Sequence, residues 1–296
     1  MTVTDLIHSA ANVLREAGVD TPEHDAKLLL AEACGHDLRD VDKAMLMGEE
    51  CQFTESVNQR FHNMVERRAQ REPLQYIVGH APFRYLDLEV GPGVFIPRPE
   101  TETVVQAGLD WLTRNRIDTP RVVDLCAGSG AIGLSVVTEV RGAEVWAVEL
   151  SSQAYEWTER NRLSVSRNDP AAGYNYHLEQ ADATSALTLP QLDGTIDLVI
   201  TNPPYVPLEQ IPEQPEVRDH DPALALYGGS ADGTLIPERI IERAAKLLHS
   251  GGALVMEHDI SQGDRLVAYA RAIGFTDAHT GEDWTGRPRF LFAVRA

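Results

Sequence analysis

The segment Asp124-Leu-Cys-Ala-Gly-Ser-Gly-Ala-Ile-Gly133 decides the fold class of this chain. It follows the apolar run 122–125 and precedes a stretch of helical spacing near 130–140, which places a glycine loop between a strand and a helix. A G-x-G-x-x-G pattern is formed by Gly128, Gly130 and Gly133. Such glycines permit a tight turn and a close approach of the backbone to a ligand, so the segment predicts a ligand-binding loop.

Strand and helix patterns alternate on both sides of this loop. The predicted strands are 122–125, 144–148, 174–178, 196–201, 253–257 and 290–294. Helical spacing occurs near 130–140, 151–165, 234–249 and 261–273. The alternation predicts an α/β fold with a doubly wound, mostly parallel sheet, whose ligands bind beyond the carboxyl ends of the strands.

The pattern divides the chain into three regions. Residues 1–72 are predicted to form a small all-helical domain, with helices over about 6–17, from Pro22 onwards and over about 54–71. Residues 73–98 are predicted to be a β-hairpin linker, with short strands near 85–90 and 94–96 around Gly91-Pro92-Gly93. Residues 99–296 are predicted to form the α/β domain.

Composition narrows the class of partner. The 296 residues include 45 acidic and 26 basic side chains, a formal charge of −19, which counts against a nucleic-acid partner. No run of about 18 apolar residues predicts a membrane span, and the N-terminus lacks the pattern of a secretory signal. Three scattered cysteines fit a reducing compartment, so we expect a cytoplasmic protein. We also expect a monomer, although no sequence pattern indicates the oligomeric state. No metal site is expected, since His220 and His258 lack partners at ligand spacing.

Glu149 closes the second predicted strand, where its carboxylate can accept both hydroxyls of a ribose. This pattern is shared by nicotinamide, flavin and S-adenosylmethionine proteins. Asp124, directly before the glycine loop, would repel a pyrophosphate but suits the amino group of a methionyl moiety, which favours S-adenosylmethionine. The alternatives are a loop that only packs helix on strand and an aspartate that only caps a turn.

Asn202-Pro203-Pro204-Tyr205 follows the predicted strand 196–201. The prolines fix the turn, so that the Asn202 amide oxygen and the Pro203 carbonyl can accept both hydrogens of a planar NH₂ group. Tyr205 can stack on the same group. An amide or aryl nitrogen is a poor nucleophile, and holding both N–H bonds orients it towards an electrophilic methyl group. The alternative is a proline-rich surface turn.

With these residues, the chain resembles a known family. Asn202-Pro-Pro-Tyr205 is similar to the signature of S-adenosylmethionine-dependent amino-methyltransferases that act on glutamine, adenine or guanine. Over nearly its whole length, the chain resembles the HemK/PrmC enzymes, which methylate N5 of glutamine in peptide chain release factors. The matching motifs are Pro73-Leu-Gln-Tyr-Ile-Val-Gly79, Phe95-Ile-Pro-Arg-Pro-Glu-Thr-Glu102, Pro215-Glu-Val, Pro222-Ala-Leu and Gly228-Gly-Ser-Ala-Asp-Gly233.

The resemblance implies a Rossmann-like class I methyltransferase sheet of seven strands and a helical N-terminal domain that recognises the substrate. It implies S-adenosylmethionine as cofactor and the glutamine of a Gly-Gly-Gln motif as methyl acceptor. The implied cofactor-binding residues are Asp124, Cys126, Ala127, Gly128, Ser129, Gly130, Glu149, Asp182, Ala183 and Asn202. The implied catalytic residues are Asn202, Pro203 and Tyr205. The implied substrate-binding residues are Phe95, Arg98, Asn202, Pro203, Pro204 and Tyr205.

Three positions depart from the family pattern. Glu149 replaces a common aspartate and keeps the ribose acceptor, whereas Ala183 replaces an aromatic residue that would stack on adenine. The segment 256–259 is less glycine-rich than in relatives, and we assign it no active-site role.

Two competing functions stay open. A nucleic-acid amino-methyltransferase would use the same pocket for adenine or guanine, but the acidic charge counts against it. A non-catalytic module would bind a protein and keep the cofactor only for stability, but the intact Asn202-Pro-Pro-Tyr205 counts against it. We therefore expect a release factor as protein partner, with neither nucleic acid nor membrane.

Overall fold

The computed structural model describes all residues, Met1–Ala296. None of its helices combines the length and the apolar character that a membrane span requires. The helices are α1 (Val3–Glu16), α2 (Pro22–Cys34), α3 (Leu38–Met47), α4 (Glu55–Ala69), α5 (Leu74–Val78), α6 (Thr101–Arg114), α7 (Ala131–Glu139), α8 (Ser152–Asn168), α9 (Pro170–Tyr174), α10 (Pro215–His220), α11 (Ala223–Leu226), α12 (Leu235–Leu247) and α13 (Gly263–Ala272).

The strands form two sheets. They are β1 (His80–Phe83), β2 (Leu86–Glu89), β3 (Arg121–Leu125), β4 (Glu144–Glu149), β5 (Tyr176–Gln180), β6 (Ile196–Thr201), β7 (Leu248–Glu257), β8 (Phe275–Glu282) and β9 (Pro288–Arg295). β1 and β2 pair alone, and the other seven follow the order β5-β4-β3-β6-β7-β9-β8. Strands β3 to β7 pair in parallel, whereas β9 runs antiparallel to β7 and to β8. The predicted seven-stranded, mostly parallel sheet is confirmed.

Alternation along the central strands explains why both faces of this sheet are covered. Val122 of β3 and Leu198 of β6 belong to one buried cluster, which also takes in Val104 of α6. Their neighbours Val123 and Val199 belong to a second cluster on the opposite face. A strand buried on both faces reads as a continuous apolar run, which is the pattern that predicted β3 and β6.

The chain separates into two compact units. The first holds Met1–His80 together with Pro212–His220, and the second holds Ala81–Ile211 and Asp221–Ala296. The first unit therefore includes α10, a helix that lies more than 130 residues away in sequence from the predicted helical region 1–72. Arg68 and Arg71 account for this, because both guanidinium groups bind Glu216 of α10, each with a contact of 2.7 Å.

The helical unit contains α3, which the sequence pattern did not predict. Val41 is the one buried residue of this helix, so its apolar periodicity is weak. The helix is instead fixed at its start by a capping box, in which Asp37 and Asp40 bind each other's backbone N–H groups.

The hairpin lies elsewhere than predicted. Its strands are β1 and β2, joined at Arg84 and Tyr85, whereas 94–96 form no strand and Gly91-Pro92-Gly93 is not the turn. Arg84 adopts a φ of 52° and is held there by Glu139, which both its Nε and Nη2 atoms contact. Gly91 serves close packing, because a Cβ atom there would lie 2.6 Å from the Trp157 ring.

Strand β8 was also not predicted. It is an edge strand of polar sequence, with Asp277 at a φ of 45° and a register shift between Thr276 and His279. Edge strands need no continuous apolar run, and an irregularity of this kind limits further pairing. The predicted strand near 174–178 begins later, at Tyr176, because α9 runs to Tyr174.

Candidate active site

The carboxyl ends of the parallel strands converge on one cleft, as the fold predicts. Its empty space is about 1200 Å³, including the open mouth. Most of the predicted site residues line it, namely Phe95, Cys126, Ala127, Gly128, Ser129, Glu149, Asp182, Ala183, Asn202, Pro204 and Tyr205. The predicted residues that do not line it are Arg98, Asp124, Gly130 and Pro203.

Gly128 and Gly130 have different roles in the glycine loop. Gly128 has a φ of 60°, and a Cβ atom there would meet no atom within 4 Å, so this position keeps the cleft floor open. Gly130 has a φ of 84°, and a Cβ atom would lie 2.9 Å from Leu134 and 3.0 Å from Thr158. Gly130 therefore allows the loop to pack tightly on its neighbours rather than to contact a ligand.

Glu149 supports this loop from the end of β4. Its Oε2 accepts from Gly128 N at 2.8 Å, and its Oε1 accepts from Ser151 N at 2.7 Å. Burial raises the pKa of Glu149, while these backbone donors oppose the rise. Each carboxylate oxygen keeps capacity for a further hydrogen bond, so the group can hold the loop and accept from a ligand hydroxyl.

Asp124 contacts the loop rather than the cleft. Its side chain is fully buried, Oδ2 accepts from Gly133 N at 2.9 Å, and Oδ1 has no protein partner. Burial raises the pKa of Asp124 to about 8, so the group is largely protonated at neutral pH. Asp124 therefore supports the loop from beneath and does not line the cleft, and its contact with a methionyl amino group stays a prediction.

Asp182 and Ala183 follow β5 at the cleft edge. Asp182 is exposed, and its Oδ1 accepts from the backbone N of Thr184 at 2.8 Å and from its hydroxyl at 2.7 Å. Ala183 is buried and presents only a methyl group. Leu150 also lines the cleft and is half exposed, which gives this region an apolar surface that sequence reasoning missed.

The Asn202-Pro-Pro-Tyr205 loop is held by contacts from distant parts of the chain. The Leu226 carbonyl accepts from Tyr205 N at 3.1 Å and from Val206 N at 2.7 Å. The Tyr205 carbonyl accepts from Gln262 Nε2 at 2.8 Å. Gly233 lies against the same carbonyl, since a Cβ atom there would be 2.1 Å from the Tyr205 oxygen. The Gly228-Gly-Ser-Ala-Asp-Gly233 motif therefore forms the back wall of this loop.

A buried carboxylate lies behind the loop. Glu257 ends β7 and is 2% exposed. Its Oε1 accepts from the Tyr205 hydroxyl at 2.9 Å, and its Oε2 accepts from the Thr101 hydroxyl at 2.7 Å. Asn202 Nδ2 donates in turn to Thr101 Oγ1 at 3.4 Å. Burial raises the pKa of Glu257, whereas these hydroxyl donors and the nearby charge of Arg289 oppose the rise.

Sequence reasoning assigned no role to Glu257, Thr101 or Gln262. Two signals were nevertheless available, because Glu257 ends a predicted strand and Thr101 lies within the Phe95–Glu102 motif. Neither signal identifies the partner, since Thr101 and Glu257 are 156 residues apart.

Arg98 supports the cleft without lining it. Its Nη2 contacts Asp221 Oδ2 at 2.7 Å, and its guanidinium lies 5.0 Å from the centroid of the Phe95 ring. A cation over an aromatic face restrains both groups. Arg98 therefore positions the Phe95 wall of the cleft.

No group of three or more His, Cys, Asp or Glu side chains is arranged to hold a metal ion. The buried His258 has a structural contact instead, between its Nδ1 and the Asp259 carbonyl oxygen at 2.7 Å. Burial lowers the pKa of His258.

Comparisons with known proteins agree with this architecture. Residues 5–79 match the PrmC N-terminal domain, and residues 74–224 match conserved hypothetical protein 95. A 4-amino-L-phenylalanine/4-methylamino-L-phenylalanine methyltransferase from Streptomyces pristinaespiralis is 38% identical over 92% of this chain and 88% of its own.

Two more similar relatives carry one name. The release factor glutamine methyltransferase of Bifidobacterium longum is 71% identical over 99% of this chain and 100% of its own. That of Streptomyces coelicolor is 42% identical over 98% of this chain and 97% of its own. Because this identity extends over both full lengths, the chain belongs to the release factor glutamine methyltransferase family.

Proposed function

We propose that this enzyme transfers a methyl group from S-adenosylmethionine to the side-chain amide nitrogen of the glutamine in the Gly-Gly-Gln motif of release factors. The 71% identity to a relative of that name carries the proposal. The cleft supports it, because Asn202, Pro204 and Tyr205 share one cavity with the glycine loop and Glu149.

The residues present fit S-adenosylmethionine. Gly128 leaves the cleft floor open, the Glu149 carboxylate has capacity to accept from ribose hydroxyls, and Leu150 with Ala183 offers apolar surface for an adenine ring. Cys126 to Ser129 would cradle the methionyl part, with Gly130 supporting the loop through its packing and Asp182 at the adenine edge. When bound, the cofactor supplies an electrophilic methyl group on a sulfonium centre.

The acceptor nitrogen is positioned by Asn202 and Pro203. The Asn202 amide oxygen lines the cleft and accepts one N–H bond of the substrate amide. The Pro203 carbonyl, which does not line the ligand-free cleft, is proposed as the acceptor of the second N–H bond, so that the nitrogen lone pair faces the methyl group. Tyr205 provides an aromatic face for the planar amide, and its hydroxyl is fixed by Glu257 at 2.9 Å. Phe95, restrained by Arg98, closes the substrate side of the cleft.

The choice of acceptor is the point to test, because any planar NH₂ group meets the same two oxygens. The enzyme is incubated with labelled S-adenosylmethionine and one acceptor at a time: a release factor, its Gly-Gly-Gln glutamine-to-alanine variant, duplex DNA, or 4-aminophenylalanine. We expect label on the release factor glutamine alone, located by peptide mass spectrometry. Label on DNA or on the free amino acid, with an unlabelled release factor, would overturn the proposal.

We further propose that residues 1–72 recognise the release factor and that the enzyme acts as a cytoplasmic monomer without nucleic acid. The acidic composition supports a protein partner, with a formal charge of −19. Residues 212–220 belong to the same compact unit as residues 1–72, so deleting 1–72 would leave Glu216 without its partner Arg68 and would disturb more than recognition.

We therefore test the intact enzyme by hydrogen exchange with and without unmethylated release factor. We expect protection within residues 1–72, and its absence would contradict the recognition role.

A further inference from the structure

Three polar side chains at the inner wall of the cleft are linked in series, with Thr101 and Asn202 lining the cleft and Glu257 behind them. Glu257 ends β7, Thr101 begins α6, and Asn202 follows β6. The parallel register places Thr201 beside Met256, so Asn202 and Glu257 are the next residues along two neighbouring strands. Glu257 and Thr101 are both buried, with 2% and 3% of their surface exposed. Water therefore does not compete for their hydrogen bonds.

The hydrogen-bond inventory fixes the direction of this series. A threonine hydroxyl has one hydrogen, and Thr101 donates it to Glu257 Oε2 at 2.7 Å. Thr101 Oγ1 can then only accept from its other neighbour, which is Asn202 Nδ2 at 3.4 Å. The Thr101 and Tyr205 hydroxyls and the charge of Arg289 favour the ionised form of Glu257 against its burial. An ionised carboxylate only accepts hydrogen bonds, so in this form Glu257 requires Thr101 to donate.

The direction determines which end of the Asn202 amide faces the substrate. A flipped amide would bring Asn202 Oδ1 against Thr101 Oγ1, two acceptors with no hydrogen between them. The observed order directs Nδ2 to Thr101 and leaves Oδ1 as the acceptor for the cleft. An NH₂ group in its place would donate and would repel the N–H bonds of the substrate amide.

Resting on the proposed function, we infer that Glu257 and Thr101 are positioning residues that orient the Asn202 amide for the methyl acceptor. Glu257 has a second effect through its other oxygen, which accepts from the Tyr205 hydroxyl at 2.9 Å. One carboxylate thus fixes the two side chains that contact the acceptor group. Neither positioning residue touches the reacting nitrogen in this assignment.

Thr101→Val and Thr101→Ser separate orientation from packing. Valine keeps the shape and removes the hydroxyl, so we expect kcat to fall about tenfold while the Kd for S-adenosylmethionine changes less than about threefold. Serine restores the hydroxyl, so we expect it to recover most of kcat. Thr103→Val is the matched control, since Thr103 is a buried hydroxyl on the same helix that donates to Glu100 O at 2.6 Å and does not line the cleft.

A double-mutant cycle tests whether Thr101 acts through Asn202. If it does, Thr101→Val lowers kcat less than about twofold in an Asn202→Ala background, because the oriented amide is already gone. Full additivity, a wild-type kcat for Thr101→Val, or no recovery with serine would overturn the inference. Wild-type enzyme that leaves the release factor glutamine unmethylated would instead overturn the proposed function.

Glu257→Gln provides the second variant. Glutamine must point one NH₂ group at Thr101 or at Tyr205, so at least one of the two donors loses its acceptor. We expect a lower kcat with retained cofactor binding, and this variant decides the case if Thr101→Val fails to fold. Wild-type kcat in Glu257→Gln would overturn the inference.

Discussion

The two loops that build the active site are held in different ways. The glycine loop after β3 is held at its backbone groups, since Gly128 N donates to Glu149 and Gly133 N donates to Asp124. The Asn202-Pro-Pro-Tyr205 loop after β6 is also held at its own side chains, since the Asn202 amide donates to Thr101 and the Tyr205 hydroxyl donates to Glu257.

This difference follows from the task of each loop. A loop that cradles a cofactor needs an unusual backbone shape, and glycine provides it locally. A loop that orients a nucleophile needs a fixed side-chain amide and hydroxyl, and the partners that fix them can come from any strand end at the same edge of the sheet. Backbone substitutions should therefore affect cofactor binding, whereas changes to the side-chain contacts should affect turnover.

The largest effect is expected at Asn202. Asn202→Ala removes the acceptor that orients the substrate amide, and loss of such a contact costs about 100-fold or more in kcat. Asn202→Asp keeps the shape but places a carboxylate oxygen against Thr101 Oγ1, which already donates to Glu257. We expect both variants to bind S-adenosylmethionine in calorimetry and to lose most of kcat. Near-wild-type turnover in both would remove Asn202 from the mechanism.

Glu149 should show the opposite pattern, with a large effect on cofactor binding and a small effect on kcat. Glu149→Ala removes a charged acceptor worth about 1.5–3 kcal/mol and also the partner of Gly128 N, so we expect the cofactor Kd to rise about 10- to 100-fold. At saturating cofactor, kcat should stay within about threefold of wild type. Glu149→Asp is the matched control, and its cofactor Kd should lie between those of the wild type and Glu149→Ala. Unchanged binding in calorimetry would exclude Glu149 as a cofactor contact.

Two alanine substitutions sharpen the comparison within the glycine loop. Gly130→Ala adds backbone strain and a contact of 2.9 Å with Leu134, so we expect a loss of about 1–3 kcal/mol in the free energy of unfolding. Gly128→Ala also places alanine at a positive φ of 60° but meets no atom within 4 Å, so it should cost less stability than Gly130→Ala and should reduce cofactor affinity more. Thermal unfolding with and without cofactor distinguishes the two, and equal losses of stability would contradict the assignment.

The smallest effect is expected at Glu216 of α10, the helix that follows the Asn202-Pro-Pro-Tyr205 loop along the chain. Its burial favours a raised pKa, but Arg71 and Arg68 outweigh it and lower the pKa of Glu216 to about 2. The resulting stability is present above pH 4.5 and is lost as the pH falls towards 2. Glu216→Gln should lose on the order of 1 kcal/mol at pH 7 and show a flatter acid-unfolding curve between these values.

Turnover of Glu216→Gln tests how far the loop depends on this anchor. If Glu257 and Gln262 hold the loop, kcat with a short Gly-Gly-Gln peptide should stay within about twofold of wild type. A large loss of kcat would show that the loop also needs the α10 contact.

The parts of the structure that the sequence predicts differ from the parts that it misses in whether they leave a local pattern. β3, β6 and the glycine loop were predictable because a doubly buried strand and a glycine turn leave local patterns. β8 was not predictable, since this edge strand has a polar sequence. The hairpin turn at Arg84 was not predictable either, since the turn contains no glycine and Arg84 is held by a contact with Glu139. Glu257 and Thr101 were missed because their hydrogen bond closes a loop of 156 residues.

The contact between Gly233 and the Tyr205 carbonyl has a consequence for enzyme design. Grafting Asn-Pro-Pro-Tyr onto another Rossmann-like sheet would transfer four residues but not the wall behind them. At position 233 a Cβ atom would come 2.1 Å from the Tyr205 oxygen, and Gln262 Nε2 must still reach that oxygen. The transplantable unit is therefore a set of four segments, containing residues 101, 202–205, 233 and 257–262, that are remote in sequence and adjacent in space.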